Sequence, residues 1–434
     1  LIVHKNAMAR KFFLILFLPT VVFSAQAQQS SFVKAHDGKF TIEGKPYRFI
    51  GANYWFAGIL GTTEAGKARI VKELDFLIAH GVDNLRVMAV AEGSGLISGV
   101  ERVQPAFQQE KGKYDTTLLK ALDFLLAEMS RRHMKAVLYL SNNWEWSGGF
   151  LQYLNWNGLL PDSVMRRKLT WDEQRDYTSK FYGCKPCIEQ QKKVLQMIVQ
   201  RTNSITGQKY ADDPSIMSWE LANEPRPMRP GAYREYQHWI FSTSELIKTL
   251  DKNHLVTTGM EGDIGTEGMA NFIALHDSKY IDYATIHIWP KNWGWFSDTS
   301  ITKSRDTIYK NSRNFIDRHE AVMRKIKKPM VIEEFGLPRD QHSFLLTSTT
   351  NSRDQYYAFI FDQLLENIKK GGVIQGANFW ALGGAGRPSY KQPLWQKGED
   401  LLGDPPMEEQ GLNAVFDTDE STWKLIADYI KKIK

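Results

Sequence analysis

Two short stretches of this chain carry residues suited to chemistry: Trp219-Glu220-Leu221-Ala222-Asn223-Glu224-Pro225 and Pro329-Met330-Val331-Ile332-Glu333-Glu334-Phe335-Gly336. Each reads as a buried strand that ends on a carboxylate and is stopped by Pro225 or Gly336. An unpaired buried charge costs several kcal/mol, so a hydrophobic strand has no packing use for a Glu at its tip. Two such strands, far apart in sequence, suggest two carboxyl groups facing one another, the arrangement that cleaves a glycosidic bond. Alternation puts Glu220, Ala222 and Glu224 on one face of the first strand. Glu224 is then the tip group, and Glu220 a deeper carboxylate expected to pair with an interior cation such as Arg86. In the second strand Glu333 and Glu334 should point to opposite faces, one toward the site and one toward the helix layer. Their apolar neighbours do not decide which.

Strand-like and helix-like stretches alternate along the chain, which implies a parallel sheet with crossover helices. The expected strands are residues 47–52, 83–88, 135–140, 216–222, 254–258, 283–288, 330–334 and 377–381. Between them, Ile70, Leu74, Leu77 and Ile78 form one helical stripe, and Leu118, Leu119, Leu122, Leu125, Leu126 and Met129 form another. Further helices are expected over 188–205, 233–250, 314–326, 354–370 and 421–433. Eight strands with intervening helices fit a (β/α)8 TIM barrel: a single catalytic domain with long strand-to-helix loops. An open doubly wound sheet would usually carry a Gly-rich phosphate turn after its first strand. Residues 141–182 and 289–304 are expected loops rich in Trp, Tyr, Asn and Gly, on the face where barrels build active sites.

The chain has 434 residues, 42% hydrophobic and 24% charged, with a formal charge of +6. Lys5, Arg10 and Lys11 supply three of those charges, and the remainder forms no basic patch, so no nucleic-acid partner is expected. Arg10 and Lys11 precede an apolar run from Phe12 to Phe23 and the small-x-small step Ala25-Gln26-Ala27. That is the pattern of an export signal over residues 1–27, with Met8 a candidate start and the mature domain over 28–434. A secreted or periplasmic protein follows, with no membrane attachment after processing. Cys184 and Cys187 are expected to form a small structural disulfide in that oxidising setting. Gly61-Thr62-Thr63-Glu64-Ala65-Gly66-Lys67-Ala68 nearly matches a phosphate-binding loop, but Ala68 lacks the hydroxyl that Mg²⁺ needs. His287 has no Cys or second His at ligand spacing, so neither a metal nor a cofactor is expected.

The ordered motifs resemble glycoside hydrolase family 5, and within it the endo-β-1,4-mannanases. They are Gly51-Ala52-Asn53-Tyr54-Trp55, Asn84-Leu85-Arg86, Ser141-Asn142-Asn143-Trp144, Asn223-Glu224-Pro225, His287-Ile288-Trp289, Glu334-Phe335-Gly336 and Asn378-Phe379-Trp380. The resemblance implies Glu224 as acid/base and Glu334 as nucleophile. It also implies that Arg86, Asn143, Asn223 and His287 contact substrate or orient the carboxylates, and that Trp380 floors the cleavage subsite. Trp55, Trp144 and Trp289 are expected to line the cleft, because flat aromatic faces bury the apolar C–H faces of sugars. Trp289 stands where much of the family has Tyr, and an indole cannot reproduce a phenol contact identically. In the implied double displacement, an anionic Glu334 should raise the pKa of Glu224 by like-charge repulsion. The implied activity is endo-hydrolysis of β-mannan by a monomer. A β-1,4-glucanase on the same scaffold and a non-catalytic glycan-binding barrel are the alternatives.

Overall fold

The computed structural model describes residues 31–298 and 300–434, and the expected export segment lies outside them. Eight strands form one parallel sheet: β1 (Phe49–Asn53), β2 (Asn84–Met88), β3 (Lys135–Tyr139), β4 (Ile216–Glu220), β5 (Leu255–Thr257), β6 (Ala284–Ile288), β7 (Met330–Phe335) and β8 (Ile374–Phe379). Their order is β5-β4-β3-β2-β1-β8-β7-β6. The cylinder closes between β5 and β6 without a regular ladder. There the Asp282 amide donates to Val256 O at 2.8 Å, and the Thr257 hydroxyl donates to Tyr283 O at 3.0 Å. The expected (β/α)8 TIM barrel is the observed fold.

Each strand is followed by a helix of the outer ring: α1 (Glu64–Ala79), α2 (Thr116–Arg131), α3 (Lys185–Val199), α4 (Tyr233–Leu250), α5 (Met269–His276), α6 (Ile301–Lys325), α7 (Asn351–Lys369) and α8 (Glu420–Ile433). The stripes on α1 and α2 are buried as expected, except that Ile78 sits at the stripe's edge and is 37% exposed. The phosphate-loop-like stretch is the cap of α1: Thr63 Oγ1 accepts from the Gly66 amide at 3.0 Å. Gly66 is needed because a Cβ there would run into the Leu60 carbonyl. The strand boundaries fall within a few residues of expectation, but the helix expected over 188–205 ends at Val199 and α6 starts at Ile301, well before the expected 314. The segment expected as one loop after β3 contains three helices, Gly149–Trp156, Asp162–Arg166 and Trp171–Ser179. Cys184 and Cys187 are bonded at the start of α3.

Side chains of Phe49, Val137, Met217, Leu255, Tyr283 and Val331 fill one end of the barrel, sealed by Val33 and Phe40 of the N-terminal hairpin segment. Polar and charged groups occupy the other end, at the C-terminal tips of the strands. Barrels place their chemistry there.

Candidate active site

Two strand tips bring the acids together. β4 ends at Glu220, and the chain continues past Asn223 to Glu224, whose backbone adopts φ +49°. The Glu224 amide is held by Gly259 O at 2.8 Å. Gly259 has φ +76°, and a Cβ on it would collide with Ala222 O and the Glu220 carboxyl, so this close approach requires glycine. Glu334 lies at the tip of β7. One carboxylate oxygen from each of Glu224 and Glu334, and one ring nitrogen of His287, lie within 4.8 Å of one another.

Arg86 organises the floor beneath them, and all five of its N–H groups are engaged. Nε and Nη2 donate to the two Glu220 oxygens at 2.9 and 2.6 Å, and Nη2 also donates to Asn223 Oδ1 at 2.8 Å. Nη1 donates to Asn53 Oδ1 at 3.1 Å and to Glu334 Oε1. The expected Glu220–Arg86 pair is therefore present. Glu333 departs from expectation: it does not turn to the helix layer but lies inside the barrel, 3.5 Å from Arg86 Nε and 3.3 Å from His287 Nε2. The pairing of β6 with β7 shifts register between Ile286 and His287, so simple alternation no longer governs these last residues.

The protonation pattern also departs from expectation. His287 is fully enclosed, and the Glu334 charge together with hydrogen bonds to Glu224 and Glu333 outweighs burial, pushing its pKa up to about 10. Burial raises Glu224, but the 2.7 Å hydrogen bond from His287 Nδ1 and a 2.5 Å bond from Trp144 Nε1 reverse this, leaving it below the usual carboxylate range. Glu334 is raised to about 7, chiefly by burial and against His287 and Arg86. The surroundings thus favour the proton on His287, one hydrogen bond from Glu224. A positive imidazolium at 2.7 Å outweighs the like-charge effect of Glu334.

A cleft of about 420 Å³ opens above the pair, walled by Trp144, Asn223, Trp289 and Trp380 among the expected residues. Trp289 supplies its own answer to the missing phenol: its indole N–H donates to Glu334 Oε2 at 3.1 Å. Two other expected contacts are corrected. Trp55 is fully enclosed, donating to Gly403 O and packing edge-on against Trp146. Arg86 and His287, also enclosed, contact the carboxylates, one of the two roles expected of them, and do not reach the cleft surface. Asn143 is buried, its Oδ1 accepting from the Arg226 amide at 3.4 Å. The Glu224 and Glu334 carboxylates, which with His287 come within ligand range of one another, already accept hydrogen bonds from Trp144, Arg86 and Trp289. A depression of about 390 Å³ between the loops after β6 and β7 contains neither Glu224 nor Glu334.

Several wall residues escaped sequence reasoning: Trp171, Arg226, Glu261, Asn292, Met407 and Glu408. Met407 and Glu408 come from the long connection between β8 and α8, whose length alone could have marked it as a cleft wall. Glu408, facing the cleft, is raised to about 8 by burial and by the nearby charges of Asp404, Glu334 and Glu224. Trp171 is 53% exposed and lies near-parallel to Trp144, with centroids 6.2 Å apart. It opens a helix with a Thr170/Glu173 capping box. Arg229 ties that helix to the loop after β4 through Asp172 and Asp176, at 3.0 and 2.7 Å. Trp171→Ala is expected to weaken binding of a sugar chain long enough to reach it roughly 5-fold, the equivalent of about 1 kcal/mol of aromatic contact. Binding of a short ligand confined to the space above Glu224 and Glu334 should be little changed, and titration calorimetry with ligands of both lengths checks this.

A (β/α)8 barrel with two carboxyls facing across its C-terminal mouth is the framework of a glycoside hydrolase. The family model described as "GH family 5 beta-mannosidase-like" matches residues 30–434, and the chain belongs to glycoside hydrolase family 5. It is similar to mannan endo-1,4-beta-mannosidase 1 of Arabidopsis thaliana, 29% identical over 394 residues, covering 85% of this chain and 87% of that one. Mannan endo-1,4-beta-mannosidase 1 of Oryza sativa subsp. japonica is 27% identical, over 83% of this chain and 80% of its own. Among solved structures, the family 5 mannosidase from Rhizomucor miehei superposes with a TM-score of 0.83 at 32% identity, covering 93% of this chain and 97% of that chain. The endo-1,4-beta-mannanase from the same organism shares the fold, with a TM-score of 0.65 at 23% identity, over 93% and 100%.

Proposed function

We propose that this protein hydrolyses β-1,4-mannosidic bonds of mannan, galactomannan or glucomannan by double displacement, with retention at the anomeric carbon. The observation that carries this reading is the spacing of the pair. An oxygen of Glu224 and one of Glu334 lie within 4.8 Å and share His287 Nδ1 as a neighbour, at 2.7 and 3.3 Å. This favours the close pair of a retaining enzyme (~5–5.5 Å between carboxyls) over the wider pair of an inverting one (~6.5–9.5 Å). Glu334 attacks the anomeric carbon while Glu224 protonates the departing oxygen. Glu224 then takes a proton from water, which releases the sugar from the Glu334 ester. Arg86 and the Trp289 indole favour the anionic form of Glu334 in both steps. Export to the periplasm or the medium, argued from residues 1–27, would deliver such an enzyme to a polysaccharide too large to enter the cell.

Endo action is the reading implied by the sequence motifs and by the plant relatives named above. Removal of terminal residues is a second reading, favoured by the similarity to the Rhizomucor miehei mannosidase and by the extra wall that Met407 and Glu408 raise beside the cleft. Product analysis on mannohexaose separates them: mixed oligosaccharides mark internal cleavage, and mannose released one unit at a time marks terminal cleavage. Reducing-sugar release from mannan, glucomannan and a cellulose derivative tests the substrate class, and ¹H NMR of the first-formed anomer tests retention. Glu224→Gln should lower kcat on manno-oligosaccharides by about 10²–10⁴-fold, the usual worth of general acid–base catalysis. Undiminished turnover in that variant removes the acid/base role.

A further inference from the structure

Glu333 has no part in the double displacement, yet it is buried inside the barrel and touches the group that serves Glu224. Its Oε2 lies 3.3 Å from His287 Nε2, while His287 Nδ1 lies 2.7 Å from Glu224 Oε1 on the other side of the ring. The three groups form a line: carboxylate, imidazole, acid. Resting on the double-displacement reading, we propose that Glu333 is a positioning residue that fixes the His287 tautomer, so that Nδ1 exchanges the catalytic proton with Glu224.

The chemistry follows from the inventory of an imidazole. A neutral ring carries one N–H, and its location is decided by what the other nitrogen faces. A carboxylate on Nε2 can only accept, so it retains the hydrogen there and leaves Nδ1 free to give or take a proton. A buried carboxylate orients the base of the serine-hydrolase triad in the same way, without itself becoming protonated. The proton moves from Nδ1 to Glu224 Oε1, leaving a neutral ring and a carboxylic acid. Glu224 passes its proton to the departing sugar oxygen, and the proton it later takes from water returns to Nδ1. The cycle closes with no net gain or loss.

His287 titrates among charges from every neighbouring strand. Glu333 and Glu334 face it from β7, and Glu224 from the end of β4. Glu220 and Arg86 lie beneath, and the Arg226–Glu261 pair lies toward the cleft. Arg86 opposes the imidazolium, and Arg226 is already neutralised by Glu261. Glu333 is the carboxylate on the Nε2 side, so removing its charge weakens the hold on the ring proton. The basic limb of the pH–rate profile must then move to lower pH.

The test compares wild type with Glu333→Gln on two substrates, mannotriose and 2,4-dinitrophenyl β-mannoside. The first needs a proton on its departing oxygen, and the second leaves as a stable anion without one. The expected result is a loss in kcat of about 10²-fold on mannotriose, with KM nearly unchanged and little loss on the aryl substrate. The basic limb should fall by about one pH unit, the effect of deleting one close opposite charge, and Glu333→Asp should restore part of the rate. Equal losses on both substrates, or an unmoved limb, would assign Glu333 a merely structural role and overturn the proposal. A readout independent of activity is ¹⁵N NMR of histidine-labelled wild type, with His287 assigned by its loss in His287→Gln. A hydrogen retained on Nε2 through the titration is required. Its absence there in the neutral ring would overturn the proposal even if Glu333→Gln fails to fold. The same spectrum decides the tautomer whether or not mannosides prove to be the substrate.

Discussion

Glu334→Gln is expected to lower kcat on manno-oligosaccharides by at least about 10⁴-fold, the scale seen when a covalent nucleophile is removed. An amide oxygen is too weakly nucleophilic to form the sugar ester, and the acids nearest to Glu334 are engaged elsewhere. Glu224 is bound by Trp144 and His287, and Glu333 lies beneath the imidazole. The fold should not suffer. Gln keeps the shape, and its single oxygen can accept from Arg86 Nη1. Its NH2 then faces the Trp289 indole N–H, a lost bond offset by the removal of one buried charge from a crowded cluster. Thermal melting should therefore stay close to wild type. Single-turnover kinetics checks the loss, and mass spectrometry of wild type quenched with a slow 2-fluoro mannoside should find the label on Glu334. A label on Glu333 would reverse the assignment of the two adjacent acids.

Arg86→Met is expected to cause the largest loss of stability, about 3–5 kcal/mol, because it strands buried carboxylates that shared one cation. Methionine fills a comparable volume, so the loss reports charge rather than a cavity. Glu220 exchanges two hydrogen bonds with Arg86, and Glu334 and Asn223 one each. Without the guanidinium, Glu220, already raised to about 8 by burial, should stay protonated through neutral pH. Glu334 should rise further from about 7, so kcat/KM should collapse at neutral pH and recover partly toward alkaline pH. Urea denaturation read by circular dichroism gives the stability change, and a pH–rate profile gives the second effect. A variant as stable as wild type would show that the carboxylates find other partners.

The fold was legible because most barrel strands are apolar runs closed by turn residues, and the crossover helices carry Leu-rich stripes. Where the reading slipped, the cause was local. Strand β8 begins with Ile374-Gln375-Gly376, whose Gln and Gly break an apolar pattern, although Gly376 is required where Phe49 packs against it. The first half of α6 includes Thr-Lys-Ser-Arg-Asp-Thr, and its buried apolar positions there are only Ile301 and Ile308, too sparse to mark a helix. The family resemblance, not the strand pattern, chose Glu334 over Glu333, while acids at two strand ends were readable from the residues themselves. The inward aim of Glu333 was not, since it depends on a register shift between neighbouring strands. Trp55 and Trp144 look alike in sequence, and only the packing of Trp146 and Gly403 around Trp55 separates an enclosed indole from one at the cleft. Trp171 carried a signal that went unused, a bulky aromatic in the first turn of a capped helix.

Glu224 stands in the left-handed region of backbone space, at φ +49°, which a residue with a Cβ enters at a penalty of about 1–2 kcal/mol. Glycine would relax that kink, and asparagine would tolerate it better, but neither could serve in the acid/base role proposed for Glu224. Robustness and turnover are thus opposed at this position. On the proposed acid/base role of Glu224, drift toward a hardier barrel would start by erasing the side chain on which turnover depends.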